Sequence, residues 1–276
     1  MSIIKVMVNG LPGNIARSVA GYLKKDRRFE LVPYSLTGPE IQESEYIIDN
    51  IPVKLIQADQ RNSQIEQIKL SLGGFLSVDY THPSAVNPNA EFYCRYGLPF
   101  VMGTTGGDRQ KLEATVVASS TAAVIAPNMA KQIVGFQAMM EYAADNFPDL
   151  FKGYSLSIKE SHQQGKADTS GTAKAMVGYF NRLGVSFSAD KIIRMRDPDV
   201  QKTQWAIPRE YLSGHGWHTY SLVSEDRTVK FEFTHNVNGR EVYVQGTVDA
   251  IFYLSEKVQA GARGKMFTMI DVLRDG

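Results

Sequence analysis

The sequence predicts an α/β protein in two parts: a parallel sheet with helices on both faces, then an α+β part built on a mixed or antiparallel sheet. Three observations predict it. Between Ile3 and Asn146, short β-branched apolar runs alternate with helical apolar stripes, the rhythm of βαβ units. A glycine-bearing turn joins the first run to the first stripe, where a dinucleotide-binding protein of the Rossmann type has its phosphate loop. After Asn146 the pattern changes to several strands of period two around one helical stretch.

The elements follow in order. Ile3 to Asn9 is short, apolar and β-branched and reads as a buried strand. Gly10, Leu11, Pro12, Gly13, Asn14 and Ile15 follow, and Ile15, Val19, Tyr22 and Leu23 open a helix. Phe29 to Ser35 reads as a second strand. Asn9 stands where the usual G-x-G-x-x-G pattern has its first glycine, leaving Gly10, Gly13 and Ala16. The two glycines let the backbone approach a pyrophosphate at the helix N-terminus, and small Ala16 lets helix and strand pack closely. An acid usually ends the second strand when NADH is bound. Here Ser35, Leu36, Thr37 and Gly38 come first and no acid appears until Glu40. Hydroxyls at Ser35 and Thr37, with Arg17 nearby, suit a 2′-phosphate, so NADPH is the expected cofactor, with NADH possible.

The stretch from Gln57 to Ser71 reads as loop and helix. Phe75 to Tyr80, Leu98 to Met102 and Ala122 to Ala126 read as strands, with helices at 85–97, 108–119 and 130–146. Gly103, Thr104, Thr105 and Gly106 lie at a strand's C-terminal end, where open α/β sheets bind ligands. Strands are expected at 154–160, 218–224, 228–236 and 240–248, and helices at 172–184 and 247–259. The tail from Lys265 to Leu273 is expected to return to the first part. The expected domains are 1–129, joined by 249–276, and 130–248.

Composition narrows the function classes. The 276 residues are 43% hydrophobic and 21% charged, ample for a buried core. A net charge of +1 argues against nucleic acid or membrane surfaces as partners through bulk electrostatics. The single cysteine, Cys94, excludes an internal disulfide, suits a reducing compartment and reads as a packing residue. No transmembrane run and no targeting segment are visible. The expected location is the cytoplasm, or a plastid-like stroma for an organellar protein.

The chemistry concentrates between Glu160 and Ala173, E-S-H-Q-Q-G-K-A-D-T-S-G-T-A, a loop between a strand and a helix. It holds an imidazole (His162), an ammonium (Lys166), a carboxylate (Asp168) and a helix start that Ser170 or Thr172 can cap. A helix N-terminus beside a lysine is a site for an anion such as a carboxylate. A solvated loop before a capped helix is the plainer reading. His215 and His218 form an H-x-x-H, read as lying in a loop before a strand; with no cysteine or carboxylate cluster beside them, no metal is expected. No G-x-S-x-G is present. Arg240 reads either as a surface charge beside the Asn238-Gly239 turn or as a cation of the substrate site.

Taken together the motifs carry a family resemblance. V-N-G-L-P-G-N-I-A at 8–16, D-Y-T-H-P at 79–83, F-V-M-G-T-T-G-G-D-R at 100–109 and P-N-M-A-K-Q at 127–132 lead to the 160–175 motif. L-S-G-H at 212–215, F-E-F-T-H-N at 231–236, G-T-V-D-A at 246–250 and M-I-D-V-L-R at 269–274 follow. The chain resembles the dihydrodipicolinate reductase (4-hydroxy-tetrahydrodipicolinate reductase) family of lysine biosynthesis, in its plant-like branch. The resemblance implies that His162 and Lys166 are catalytic. It implies that Gln163, Lys166, Ser170, Gly171 and Thr172 bind the substrate, a cyclic dicarboxylate. It places Gly10 to Ile15, with Asp79, Tyr80 and Thr81, at the nucleotide, Gly103, Thr104 and Thr105 near the nicotinamide ribose, and Ala126, Pro127, Asn128 and Met129 against the nicotinamide. It further implies a homo-oligomer, tetramer or dimer, built through the second sheet.

The chain departs from the bacterial pattern in two places: Gln163 replaces a second histidine, and the loop is one residue shorter with Thr169 before Ser170. Two other readings remain: a two-domain NAD(P) oxidoreductase acting on another imine or carbonyl, and a non-catalytic NADP-sensing protein.

Overall fold

The structure is a computed structural model and describes residues 3–275. It divides into two compact units, residues 1–131 with 241–276, and residues 132–240.

The first unit opens with β1 (Ile4–Asn9), α1 (Asn14–Lys25), β2 (Phe29–Leu31), β3 (Tyr34–Leu36), β4 (Glu45–Ile48), β5 (Ile51–Ile56) and α2 (Arg61–Leu72). It continues with β6 (Leu76–Asp79), α3 (Val86–Arg95), β7 (Phe100–Met102), α4 (Arg109–Val117) and β8 (Ala122–Ile125). The second unit holds α5 (Lys131–Asn146), β9 (Ser155–His162), α6 (Gly171–Arg182), β10 (Ile193–Met195), α7 (Pro198–Thr203), β11 (His215–Val223) and β12 (Lys230–Asn238). The chain then returns to the first unit with α8 (Glu241–Gln259), β13 (Lys265–Phe267) and α9 (Met269–Asp275).

The first unit's main sheet has the order β13-β8-β7-β6-β1-β2, parallel throughout. Its central strands read as unbroken apolar runs because helices cover both faces: Val6, Met7, Val8, Val78, Phe100, Val101, Met102 and Val124 have at most 1% of their surface exposed. Successive connections from β1 lead to β2 on one side and β6 on the other. The strand order therefore reverses beside β1, and the C-terminal ends of β1 and β6 form the switch point where such sheets bind ligands.

Three sequence expectations are corrected here. The run from Phe29 to Ser35 is not one strand. Pro33 has no N–H to give the ladder, and the chain passes from β2 in the main sheet to β3 in a separate sheet of order β3-β5-β4. The hairpin β4–β5 was not anticipated; its turn residues Asp49 and Asn50 have φ of 43° and 68°, the left-handed values that a tight two-residue turn requires. Residues 240–248 are not a strand but the first turns of α8. The alternation at Val242 and Val244 is too short to separate the two periods, and the longer set Val244, Val248, Ile251 and Leu254 has helical spacing and is buried.

The second unit's sheet is mixed, in the order β10-β9-β11-β12, with β10 parallel to β9 and the other pairs antiparallel. The pleat sorts its residues by face. Ile158, Tyr220 and Leu222 bury with Met176, Val177 and Phe180 of α6 and Met140 and Ala144 of α5. Ser157, Lys159, Thr219, Ser221, Glu232 and Thr234 occupy the polar face. The helix-covered face continues past its apolar part into Glu160, His162, His218 and His235. Among the described residues, no helix is long and apolar enough to cross a membrane.

Candidate active site

In the first unit a cavity of about 730 Å³ opens at the switch point. Gly10, Leu11, Pro12, Gly13, Thr37, Tyr80 and Thr81 line it, together with Gly38, Glu40, Arg61, His82 and Asn89. The backbone explains the glycine at position 10: its φ is +100°, and a Cβ there would collide with the Tyr80 carbonyl. Gly13 caps α1 without a side chain, so no side-chain acceptor takes the N–H groups of the first turn. Those donors and the helix dipole suit a pyrophosphate.

The remaining nucleotide residues divide. Asp79 is fully buried under the cavity and accepts five hydrogen bonds. Thr81 donates from its backbone N–H (3.1 Å) and hydroxyl (2.8 Å), the Thr104 hydroxyl donates at 2.7 Å, Asn89 at 2.9 Å and the Tyr93 hydroxyl at 2.7 Å. Asp79 therefore ties the β6 and β7 loops together from below. Ser35 and Thr37, read from the sequence as hydroxyls for a 2′-phosphate, bond to the glycine turn. The Ser35 hydroxyl accepts from the Leu11 N–H at 3.3 Å, and the Thr37 hydroxyl donates to the Leu11 carbonyl at 2.9 Å. Both hydroxyls hold the glycine turn. Arg17 is bound to Asn14 and Tyr46. Asn14, Thr105 and Pro127 are exposed, Ile15, Gly103 and Asn128 half-buried, and Ala126 and Met129 buried; none lines the cavity.

In the second unit β9 carries Glu160 and His162 to the edge of the 163–170 loop, and α6 begins at the loop's end. His162 Nδ1 lies 3.1 Å from the His215 carbonyl. A carbonyl only accepts, so Nδ1 carries the proton and Nε2, which is buried without a partner, holds the lone pair. Burial first, then the charges of Arg196 and Lys166, push its pKa down to about 4. The His162 ring packs edge-on to His218 at 5.1 Å, and His218 stacks on His235 at 4.6 Å. Burial pushes His218 to about 2 and His235 to about 4.

The Lys166 ammonium pairs with Asp168 at 2.8 Å, and that pairing holds the Asp168 carboxyl below its ordinary range. Ser170 is the N-cap residue of α6, but its side chain makes no capping bond. Its backbone N–H donates instead to Glu160 at 3.0 Å, which corrects the expected hydroxyl cap. Gln163 and Thr172 are half-buried and Gly171 is exposed at the helix start.

The H-x-x-H lies inside β11, not in a loop. Three residues apart on a strand of period two, its histidines face opposite sides. His215 accepts from the Ser161 hydroxyl, whereas His218 joins Glu160 and His162. Ligand atoms of Glu160, His162 and His218 lie within 4.8 Å of one another. The carboxylate is already neutralised by Arg196, so the set favours an ion pair over a metal. Sequence reasoning missed Arg196, Gln201, His218 and His235 as members of this cluster, because strand pairing assembles it from four separate segments.

The parallel sheet, the glycine turn and the cavity at the switch point define a two-unit protein with a Rossmann-type nucleotide-binding part. Residues 4–129 match the family described as dihydrodipicolinate reductase, N-terminus, and residues 132–273 the one described as dihydrodipicolinate reductase, C-terminus. The chain is 46% identical to a probable 4-hydroxy-tetrahydrodipicolinate reductase 1, chloroplastic, of Oryza sativa subsp. japonica, over 98% of this chain and 79% of that one. It is 45% identical to 4-hydroxy-tetrahydrodipicolinate reductase 1, chloroplastic, of Arabidopsis thaliana, over 99% of this chain and 78% of that one. A dipicolinate-bound dihydrodipicolinate reductase from Paenisporosarcina sp. TG-14 shares the fold, with a TM-score of 0.66 at 16% identity over 96% of this chain and 97% of that one. The chain belongs to the dihydrodipicolinate reductase family.

Proposed function

We propose that this chain reduces 4-hydroxy-tetrahydrodipicolinate to tetrahydrodipicolinate with NADPH or NADH, in diaminopimelate and lysine biosynthesis. The observation that carries the reading is one loop bearing His162, the Lys166 ammonium and the N-terminus of α6. It suits a small dicarboxylate.

Gly171 and Thr172 N–H groups and Lys166 pair one carboxylate, with substrate taking the place Asp168 holds on the ammonium. A bound nicotinamide supplies the hydride. The substrate loses its ring hydroxyl as water, hydride adds to the conjugated ring that results, and the electron-rich enamine carbon left must take a proton. Lys166 donates it. His162 does not, because a histidine held at about 4 is neutral at neutral pH. Its Nε2 lone pair accepts a hydrogen bond and orients the ring or the lysine.

Both nucleotides are read as acceptable. The hydroxyls that favoured NADPH are engaged elsewhere. Two charged side chains of opposite sign, Glu40 and Arg61, line the same cavity. An acid there pairs with a ribose 2′-hydroxyl and a guanidinium with a 2′-phosphate.

Calorimetric titration of dipicolinate into the protein saturated with oxidised nucleotide tests the carboxylate site. Binding is expected in the wild type and weakened about 10-fold or more by Lys166→Ala, the loss of one charge-assisted hydrogen bond. Equal affinity in the two proteins would remove Lys166 from the site.

A further inference from the structure

The loop from Gln163 to Ser170 carries the proposed proton donor, yet it has little of its own to hold it. Ala167, Asp168, Gln164 and Gly165 are exposed. One turn bond, from the Lys166 N–H to the Gln163 carbonyl at 3.0 Å, closes it locally. Three further tethers come from β10 and the residue after it. The carbonyls of three consecutive residues, Lys166, Ala167 and Asp168, each accept from a guanidinium. Arg196 Nε donates to Lys166 O at 2.8 Å, Arg194 Nη1 to Ala167 O at 2.9 Å, and Arg196 Nη2 to Asp168 O at 3.2 Å.

Arg196 also reaches inward. Its Nη2 meets Glu160 at 2.5 Å, and its Nη1 donates to the Met195 carbonyl at 3.0 Å. The Glu160 side chain is fully buried, and its second oxygen accepts the Ser170 N–H. The pair thus spans both ends of the loop: Glu160 fixes the end at α6, and Arg196 fixes the backbone of Lys166 and Asp168. The strand register places them for this, since β10 runs parallel to β9 with Arg194 opposite Glu160. Five residues beyond Arg196, Gln201 donates to the His162 carbonyl at 2.7 Å and to the Met195 carbonyl at 3.2 Å, so the same segment also ties the strand end that carries the imidazole.

We infer that Arg196 is a positioning residue for the reaction: its fork holds the Lys166 backbone against the Glu160 carboxylate, fixing the ammonium where the proton is delivered. The inference rests on the reductase reading above and names a residue outside the 160–175 motif. A guanidinium suits the task because its five donors are planar and fixed, matching three carbonyls and a carboxylate at once. A lysine, with one rotatable ammonium, cannot span the same acceptors.

Arg196→Ala and Arg196→Lys test this in the full-length chain. The lysine variant keeps a cation beside buried Glu160, so it is the one expected to fold if the alanine variant does not. Both are compared with wild type for kcat, for nucleotide Kd and for thermal midpoint. Expected for Arg196→Lys is a fall in kcat of about 10- to 100-fold, with nucleotide Kd unchanged and a thermal midpoint near the wild type, the signature of a misplaced group. Expected for a folded Arg196→Ala is a comparable or larger fall, partly restored by millimolar guanidinium ion. A purely structural role predicts instead that activity follows the folded fraction and that added guanidinium does nothing. An Arg196→Lys variant with kcat within about threefold of wild type overturns the inference. An inactive wild type would refute the reductase reading itself, a separate outcome.

Discussion

Lys166 and His162 sit four residues apart, and the structure gives them opposite electrostatic settings. The ammonium is paired and partly exposed, whereas the imidazole is kept neutral by burial and by two nearby cations. On the proposed reading, that difference makes Lys166 the proton donor. It also has a consequence for stability. His162, His218 and His235 have folded pKa values of about 4, 2 and 4, below the unfolded value near 6.5. The unfolded chain therefore binds more protons below pH 6.5. Their contribution is complete above that pH and is lost as pH falls towards 4, at up to about 1.4 kcal/mol per pH unit for each histidine. Urea midpoints measured from pH 7 to 4 are expected to fall steeply; a flat profile over that window would contradict the buried, neutral cluster. At this scale the sequence showed His162, Lys166 and Ser170, which share one continuous loop. It did not show Arg196, His218 or His235, which reach the loop only through pairing of strands 30 to 75 residues away.

The elements of the first unit were legible where a strand is buried on both faces or a helix has a full apolar stripe. They were not where short runs fit two periods. Residues 240–248 show the difference: two valines alternate, but burial follows the helical set. Gly246 lies in the middle of α8, where alanine would ordinarily favour the helix by about 0.5–1 kcal/mol. Here a Cβ would strike the Met129 carbonyl. Relief requires the backbone at Ala126–Met129 to move, an overpacking cost of about 1–3 kcal/mol that outweighs the propensity gain. Gly246→Ala is expected to lower the thermal midpoint, read by circular dichroism. A midpoint equal to or above wild type would show that the close approach is relieved at no cost.

At the scale of the whole molecule, the second unit is inserted between the two parts of the first. The first unit needs both ends of the chain: β13 pairs with β8 at the sheet edge, and α8 packs on α1, β7 and β8. The second unit, between them, carries the loop with Lys166. This two-part organisation was readable from the change in periodicity after Asn146 and the return of apolar helical spacing near the C-terminus. Reduction of the cyclic dicarboxylate needs a bound nucleotide and, on the proposed reading, the Lys166 loop, and one measurement tests it most directly. The dicarboxylate is generated in situ by the condensing synthase from pyruvate and aspartate semialdehyde, and absorbance at 340 nm follows NADPH or NADH oxidation. The account predicts oxidation that depends on the dicarboxylate, with both nucleotides, and that falls at least about 100-fold in Lys166→Ala while nucleotide affinity stays unchanged. Nucleotide binding without dicarboxylate-dependent oxidation in the wild type, or near-wild-type turnover in Lys166→Ala, would contradict it.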